Sequence, residues 1–92
     1  MVTAFVLMKV RRERIHETPQ DLMNIEGVSE VYSVTGEYDL VAVARVREHE
    51  QLDKLVTEDM AAVEGITDTM TMIAFRQYSR HDLETMFGLG IG

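Results

Sequence analysis

From its second residue the chain alternates. Val2, Ala4, Val6, Met8 and Val10 occupy every other position, with Thr3, Phe5, Leu7 and Lys9 between them. A period of two sends the two sets to opposite faces of a β-strand. Thr18 then precedes Pro19, with Asp21 three residues after it, which predicts a helix capped by Thr18 with Pro19 at its first position. Leu22, Met23 and Ile25 would form the apolar side of that short helix, and Gly27 would end it in the left-handed conformation. Val28 to Thr35 predicts a second strand and Leu40 to Arg47 a third. The link Thr35-Gly36-Glu37-Tyr38-Asp39 is too short for a crossover, so these two strands make an antiparallel hairpin. Leu52, Leu55, Val56, Met60 and Val63 fall on one helical stripe, and Ile66 to Gln77 predicts a fourth strand. Ser79 and Asp82 resemble a further capping box, with Leu83, Met86 and Phe87 on one side of a last turn or two. Residues 1–78 are therefore expected to form the domain, and residues 79–92 a tail with a short helix and a glycine-rich end.

The two halves repeat. Glu26-Gly27-Val28-Ser29-Glu30 matches Glu64-Gly65-Ile66-Thr67-Asp68 class for class, and Val10-Arg11 matches Val46-Arg47. Two strand-helix-strand units joined by a hairpin predict the α+β, ferredoxin-like βαββαβ sandwich, with a four-stranded antiparallel sheet and both helices on one face. Helices on one side leave the other uncovered. Phe5 and Leu7 oppose Val6 and Met8 on the first strand, and Ile73 and Phe75 oppose Met72 and Ala74 on the fourth. Phe5, Leu7, Ile73 and Phe75 are therefore expected to share an open apolar face that pairs with a second subunit, a dimeric α+β barrel type of arrangement.

Composition narrows the function. A chain of 92 residues buries roughly 64% of the surface it exposes unfolded, enough for one thin core. With 46% hydrophobic and 27% charged residues it has a globular composition, and the absence of cysteine excludes disulfides, thiolate metal sites and a cysteine nucleophile. The longest apolar runs, Ala4 to Met8 and Leu40 to Ala44, have five residues each, against about 20 for a bilayer span. No basic region precedes the N-terminal apolar segment, so it does not resemble a signal peptide and a cytoplasmic location without membrane contact is expected. A net charge of −7 opposes direct binding to nucleic acid.

Catalytic groupings are absent from the pattern. His16, His49 and His81 fall in separate loops or helix starts and match no ligand spacing, so no metal and no cofactor are expected. Arg11, Arg12 and Arg14 are interleaved with Glu13, Glu17 and Asp21, which suits a charge-mixed loop better than a phosphate site. The hairpin link carries more information. Gly36 and Asp39 are turn residues, but Gly36, Tyr38 and Asp39 together also offer a bare backbone N–H, a ring and a carboxylate, the parts that hold a small zwitterion. Thr69 and Thr71 alternate on one face of the fourth strand, where threonine is also favoured by β-propensity alone.

These residues carry a family resemblance. Gly27-Val28 entering a strand, Thr35-Gly36-x-Tyr38-Asp39, Glu64-Gly65-Ile66 and Thr69-x-Thr71 resemble the effector-binding RAM domain of the Lrp/AsnC (feast/famine) transcription regulators, from about Val2 to Tyr78. The resemblance implies a domain that dimerises through its sheets, assembles into rings of dimers and binds a free amino acid between dimers. It implies Gly36, Tyr38 and Asp39 as the ligand loop and Thr69 and Thr71 as strand-borne ligand contacts. The family's regulators carry a DNA-binding helix-turn-helix domain before this one, whereas here the sensor strand begins at residue 2, which suggests a stand-alone protein acting through full-length regulators that share its interface. Two alternatives remain: a small ferredoxin-like enzyme of the monooxygenase type, which requires a histidine, asparagine or tryptophan in the cleft, and an oligomerisation module without ligand. Tryptophan is absent and the histidines lie outside the strands.

Overall fold

The computed structural model describes residues 1–80. Strand β1 (Val2–Val10) leads through a 3-10 turn (Arg12–Arg14) into α1 (Glu17–Met23), followed by β2 (Val28–Ser33) and β3 (Leu40–Val46). Helix α2 (His49–Lys54) continues into a π-helical segment (Leu55–Met60), and β4 (Ile66–Ile73) closes the series. The sheet order is β2-β3-β1-β4 and every pairing is antiparallel, so the expected βαββαβ fold is the one observed. In each half the helix links two strands that flank a third, the split form of the βαβ unit. No helix among the described residues is long and apolar enough to cross a membrane.

The alternation on β1 builds the core. Ala4, Val6 and Met8 are fully buried and Val10 nearly so, packed with Leu22 of α1, Leu52, Leu55 and Met60 of the second helical stretch, and Val28, Leu40, Ala42 and Ala44 of the neighbouring strands. A capping box starts α2: the Glu48 carboxylate accepts from the Gln51 backbone, and the Gln51 Oε1 accepts from Glu48 N at 2.9 Å. Leu55 and Met60 are five residues apart and both almost completely buried, which the wider π-helical turn makes possible.

Four local expectations are corrected. Thr18 is not the N-cap; His16 holds that position, and Thr18 lies inside the first turn, where it is fully buried and its hydroxyl donates to the Glu64 carbonyl at 2.8 Å. Met23 is half-exposed rather than part of the core. The fourth strand ends at Ile73, not Gln77, and the second at Ser33, not Thr35. The expected capping box at Ser79 and Asp82, and the turn carrying Leu83, Met86 and Phe87, lie outside the described residues.

Register also corrects the composition of the open face. Phe5 stands opposite Met72 and Leu7 opposite Met70, whereas Ile73 stands opposite the fully buried Ala4 and so shares the helix side. Phe75 follows the end of β4 and is fully exposed. Both parities of β4 are apolar near its end, so alternation alone does not choose a face; cross-strand pairing does. The open face is thus built from Phe5, Leu7, Val41, Val43, Met70 and Met72.

Candidate functional site

The β2–β3 hairpin stands on a firmly bonded base. The Asp39 backbone N–H donates to the Met8 carbonyl at 2.8 Å, and the Asp39 carbonyl accepts from Val34 N at 3.0 Å. Strand β3 begins only at Leu40, so it supplies no further carbonyl for β1. The Asp39 side chain fills that role: its Oδ2 accepts the Val10 N–H at 2.8 Å, just where a bulge between Lys9 and Val10 shifts the pairing of β1 with β4. One carboxylate oxygen of Asp39 is therefore committed to the fold.

The tip of the hairpin is open. Gly36 has φ of 108°, a conformation that favours glycine, and a Cβ placed on it would meet no heavy atom within 4 Å. Backbone conformation, not crowding, accounts for the glycine. Tyr38 is half-buried, with the Lys9 ammonium 5.6 Å from its ring centroid, and Lys9 also lies 3.8 Å from the exposed Glu37 carboxylate. The hairpin thus presents a bare turn, an aromatic wall and a carboxylate beside one lysine.

Thr69 and Thr71 stand elsewhere on the same subunit. By register with Met8 and Val6 they share the helix side of β4, and both are exposed. Strand β1 lies between them and the hairpin strand, so two inter-strand spacings, about 10 Å, separate the two groups. Thr69 lines a groove of about 350 Å³ with Val6, Val56, Met60 and Ile66; Thr71 does not. A second groove of about 360 Å³ lies between Gly27, the end of β3 and α2, rimmed by Arg45, Arg47 and Lys54 and by Glu26 and Asp59. Neither groove joins the hairpin to the threonines within one subunit.

The remaining candidates behave as surface. His16 and His49 are exposed, His81 lies outside the described residues, and no group of three histidine, aspartate or glutamate side chains among the described residues is arranged to hold a metal. Arg14 pairs with Asp21 at 3.0 Å and Glu64 at 3.7 Å, and Arg11 with Glu13 at 3.6 Å and Glu64 at 3.7 Å, as a charge-mixed loop should. The cleft between helices and sheet is apolar. Thr18 is the one polar residue buried as a whole among the described residues, and its hydroxyl is already bonded; Arg14 Nε is buried as well.

One polar cluster escaped the sequence reading. On the open face the Tyr32 hydroxyl donates to Glu30 Oε2, and Arg45 Nη1 donates to Glu30 Oε1 at 3.0 Å. The Tyr32 bond first, and Arg45 second, hold the Glu30 carboxyl below its ordinary value of 4.5. The same bond raises the Tyr32 hydroxyl above its ordinary 10.0. The i, i+2 spacing of Glu30 and Tyr32 placed them on one face, but Arg45 joins them only through the β2–β3 register.

Residues 3–83 match the profile of the Lrp/AsnC ligand binding domain. The chain belongs to the Lrp/AsnC family. The Lrp/AsnC relative FL11, an HTH-type transcriptional regulator of Pyrococcus abyssi, is 32% identical over 75 residues, covering 82% of this chain and 49% of FL11. The chain spans about half the length of the curated relatives it matches. The crystal structure of TTHA0845 from Thermus thermophilus superposes with a TM-score of 0.81 at 45% identity, over 87% of this chain and all of that one. The feast or famine regulatory protein of M. tuberculosis, solved in complex with L-methionine, matches with a TM-score of 0.73 at 27% identity, over 87% of this chain and 54% of its own.

Proposed function

We propose that the protein is a non-enzymatic, oligomeric amino-acid sensor, binding its effector at the Gly36 hairpin in a pocket completed by a neighbouring subunit. The observation that carries this reading is the hairpin itself: an open glycine turn with Tyr38 beside it, on a base held by Asp39. A free amino acid brings an ammonium that needs acceptors and a carboxylate that needs donors, and an unpaired charge out of water is costly. The second oxygen of Asp39 supplies the acceptor; the Gly36 N–H and the Thr69 and Thr71 hydroxyls supply donors. The hairpin and the threonines stand on opposite sides of β1 and neither groove joins them, which supports a pocket shared between subunits. The methionine complex of the M. tuberculosis relative supports an amino acid as the ligand class.

Assembly belongs to the same reading. The half-exposed Met70 and Met72, with Phe5, leave an apolar sheet face for a second copy, each large side chain contributing roughly 1.5–3 kcal/mol on full burial. Dimers would associate further into rings, with full-length regulators of the family as potential co-assembly partners and no direct contact with nucleic acid at a net charge of −7. The match to the ligand binding domain of transcription regulators favours this reading over the enzymatic alternative. The test is calorimetry and thermal shift with each of the twenty amino acids at millimolar concentration. Stabilisation by one or a few side-chain classes is the expected outcome; no response to any would leave an oligomerisation module.

A further inference from the structure

Across the open face the strands set two rows, Glu30-Val43-Phe5-Met72 and Tyr32-Val41-Leu7-Met70. Six apolar side chains fill its centre and edge, and the charged residues occupy two diagonal corners. Glu30 and Arg45 share the corner at β2 and β3, while Lys9 and Asp68, directly opposite one another, share the corner at β1 and β4. The Glu30–Arg45 pair carries no net charge of its own in a chain whose net charge is −7. When an acidic chain meets itself, like-charge repulsion is least where the contacting surface carries no net charge. A two-fold related copy presents the same patch, so a cation beside an anion is its own complement: Glu30 of each copy can face the other's guanidinium. The occupant that fits this face is therefore a second copy of the chain.

We propose that Glu30 and Arg45, with Tyr32 holding the carboxylate, align the two faces and select which faces pair. This rests on the reading that the open face meets a second copy. The apolar centre cannot do this alone, since burial of smooth apolar surface is non-directional and tolerates sliding and rotation. A bonded charge pair is directional. While exposed, it contributes little to one subunit's stability. Covered by a face that offers no complement, both ions would lose water while their remaining donors and acceptors stay unpaired, and a mismatched orientation or a foreign face is disfavoured. The Tyr32 hydroxyl, donating to Glu30 Oε2, fixes the direction of the carboxylate, and the guanidinium retains N–H groups beyond the one given to Glu30 Oε1.

Sedimentation velocity over a dilution series of the full chain tests this, with circular dichroism to confirm folding. Glu30→Arg should weaken self-association by about tenfold or more, because like charges then meet across the interface. The double variant Glu30→Arg/Arg45→Glu should restore it to near the unmodified level. Mixed with the unmodified protein under distinguishable tags, the double variant should form self-pairs and few mixed pairs. Mixed pairs in binomial proportion, or unchanged association of Glu30→Arg, would overturn the proposal. Phe5→Glu separates the two levels: if it abolishes association while the charge variants behave as unmodified, the face is the interface and the selectivity assignment fails. If Phe5→Glu also leaves association unchanged, the face is not the interface and both fall. Glu30→Gln, which removes the charge at constant shape, should give an intermediate loss; no loss would count against the assignment.

Discussion

Asp39 offers a way to separate holding the fold from binding a ligand. In Asp39→Ala the Val10 N–H loses its acceptor, and Val10 is 9% exposed, so water replaces the carboxylate poorly. A hydrogen bond to a charged group contributes about 1.5–3 kcal/mol, and orphaning a buried N–H costs a similar amount. The backbone bonds of Asp39 to Met8 and Val34 do not depend on its side chain and should survive, so the loss is confined to that one bond. Destabilisation of about 1.5–3 kcal/mol is expected, a fall in Tm on the order of 10 °C for a domain of this size. Asp39→Asn keeps a carbonyl oxygen for Val10 but not the charge, and should cost about half as much or less. Denaturant titration at one fixed protein concentration measures both, since self-association makes apparent stability concentration-dependent. Under the proposed function both variants lose amino-acid binding, although Asp39→Asn keeps most of the stability. An Asp39→Ala protein within about 0.5 kcal/mol of the unmodified one would refute the structural role given to the carboxylate.

Two glycines at nearly the same φ should respond differently to alanine. At Gly36 (φ 108°) only backbone strain is added, about 1–2 kcal/mol, whereas at Gly65 (φ 102°) the new Cβ would also lie 2.6 Å from both Arg14 Cβ and Thr18 Oγ1, raising the expected cost to about 2–5 kcal/mol. Equal losses in chemical denaturation would contradict the close packing at Gly65. For the open-face cluster the pH dependence has two limbs. The lowered Glu30 carboxyl contributes stability that is complete above its ordinary value of 4.5 and is lost as pH falls through its depressed value in the folded protein. The raised Tyr32 hydroxyl contributes stability that is complete below 10.0 and is lost as pH rises through its raised value. Tyr32→Phe should remove the alkaline limb and the late-titrating phenolate absorbance, while Glu30→Gln should diminish both limbs; profiles identical to the unmodified protein would show that the cluster is not formed in solution.

The fold was legible because its information is local and repeated. The alternation on β1, the five-residue hairpin link and the two glycine-led strand entries suffice to specify βαββαβ. The two most consequential misreadings each involve a partner distant in sequence. Thr18 followed by proline has the chemistry of a cap, but its hydroxyl bonds instead to Glu64, 46 residues away, and the helix starts at Glu17. Ile73 and Phe75 were grouped with Phe5 because β4 is apolar on both parities, and only pairing with β1 shows that Met70 and Met72 belong there. The π-helical turn between Leu55 and Met60 left no mark beyond an apolar stripe that an ordinary helix also satisfies. At the site, Asp39 was legible as a residue that matters but not as one whose oxygen already serves Val10.

Strand β4 ties the proposed ligand site to the proposed assembly. Every residue of it after Ile66 is exposed, on the helix side as well as the open side, although threonine, isoleucine and methionine dominate its sequence. Such a strand buries little on its own account and gains most from what a neighbour lays over it. Its two sides have different occupants under the proposed function: Met70 and Met72 meet the second copy, and Thr69 and Thr71 meet the ligand. Residues of opposite parity on one strand cannot be moved independently, so a ligand that fixes the position of the threonines also fixes the methionines at the interface. The coupling is thermodynamic: an amino acid bound more tightly by one assembly than by another shifts the equilibrium between them by that difference in affinity and by no more. In so acidic a chain, the few charges at the proposed pairing face bear on that equilibrium, and effector occupancy then adds to the same balance.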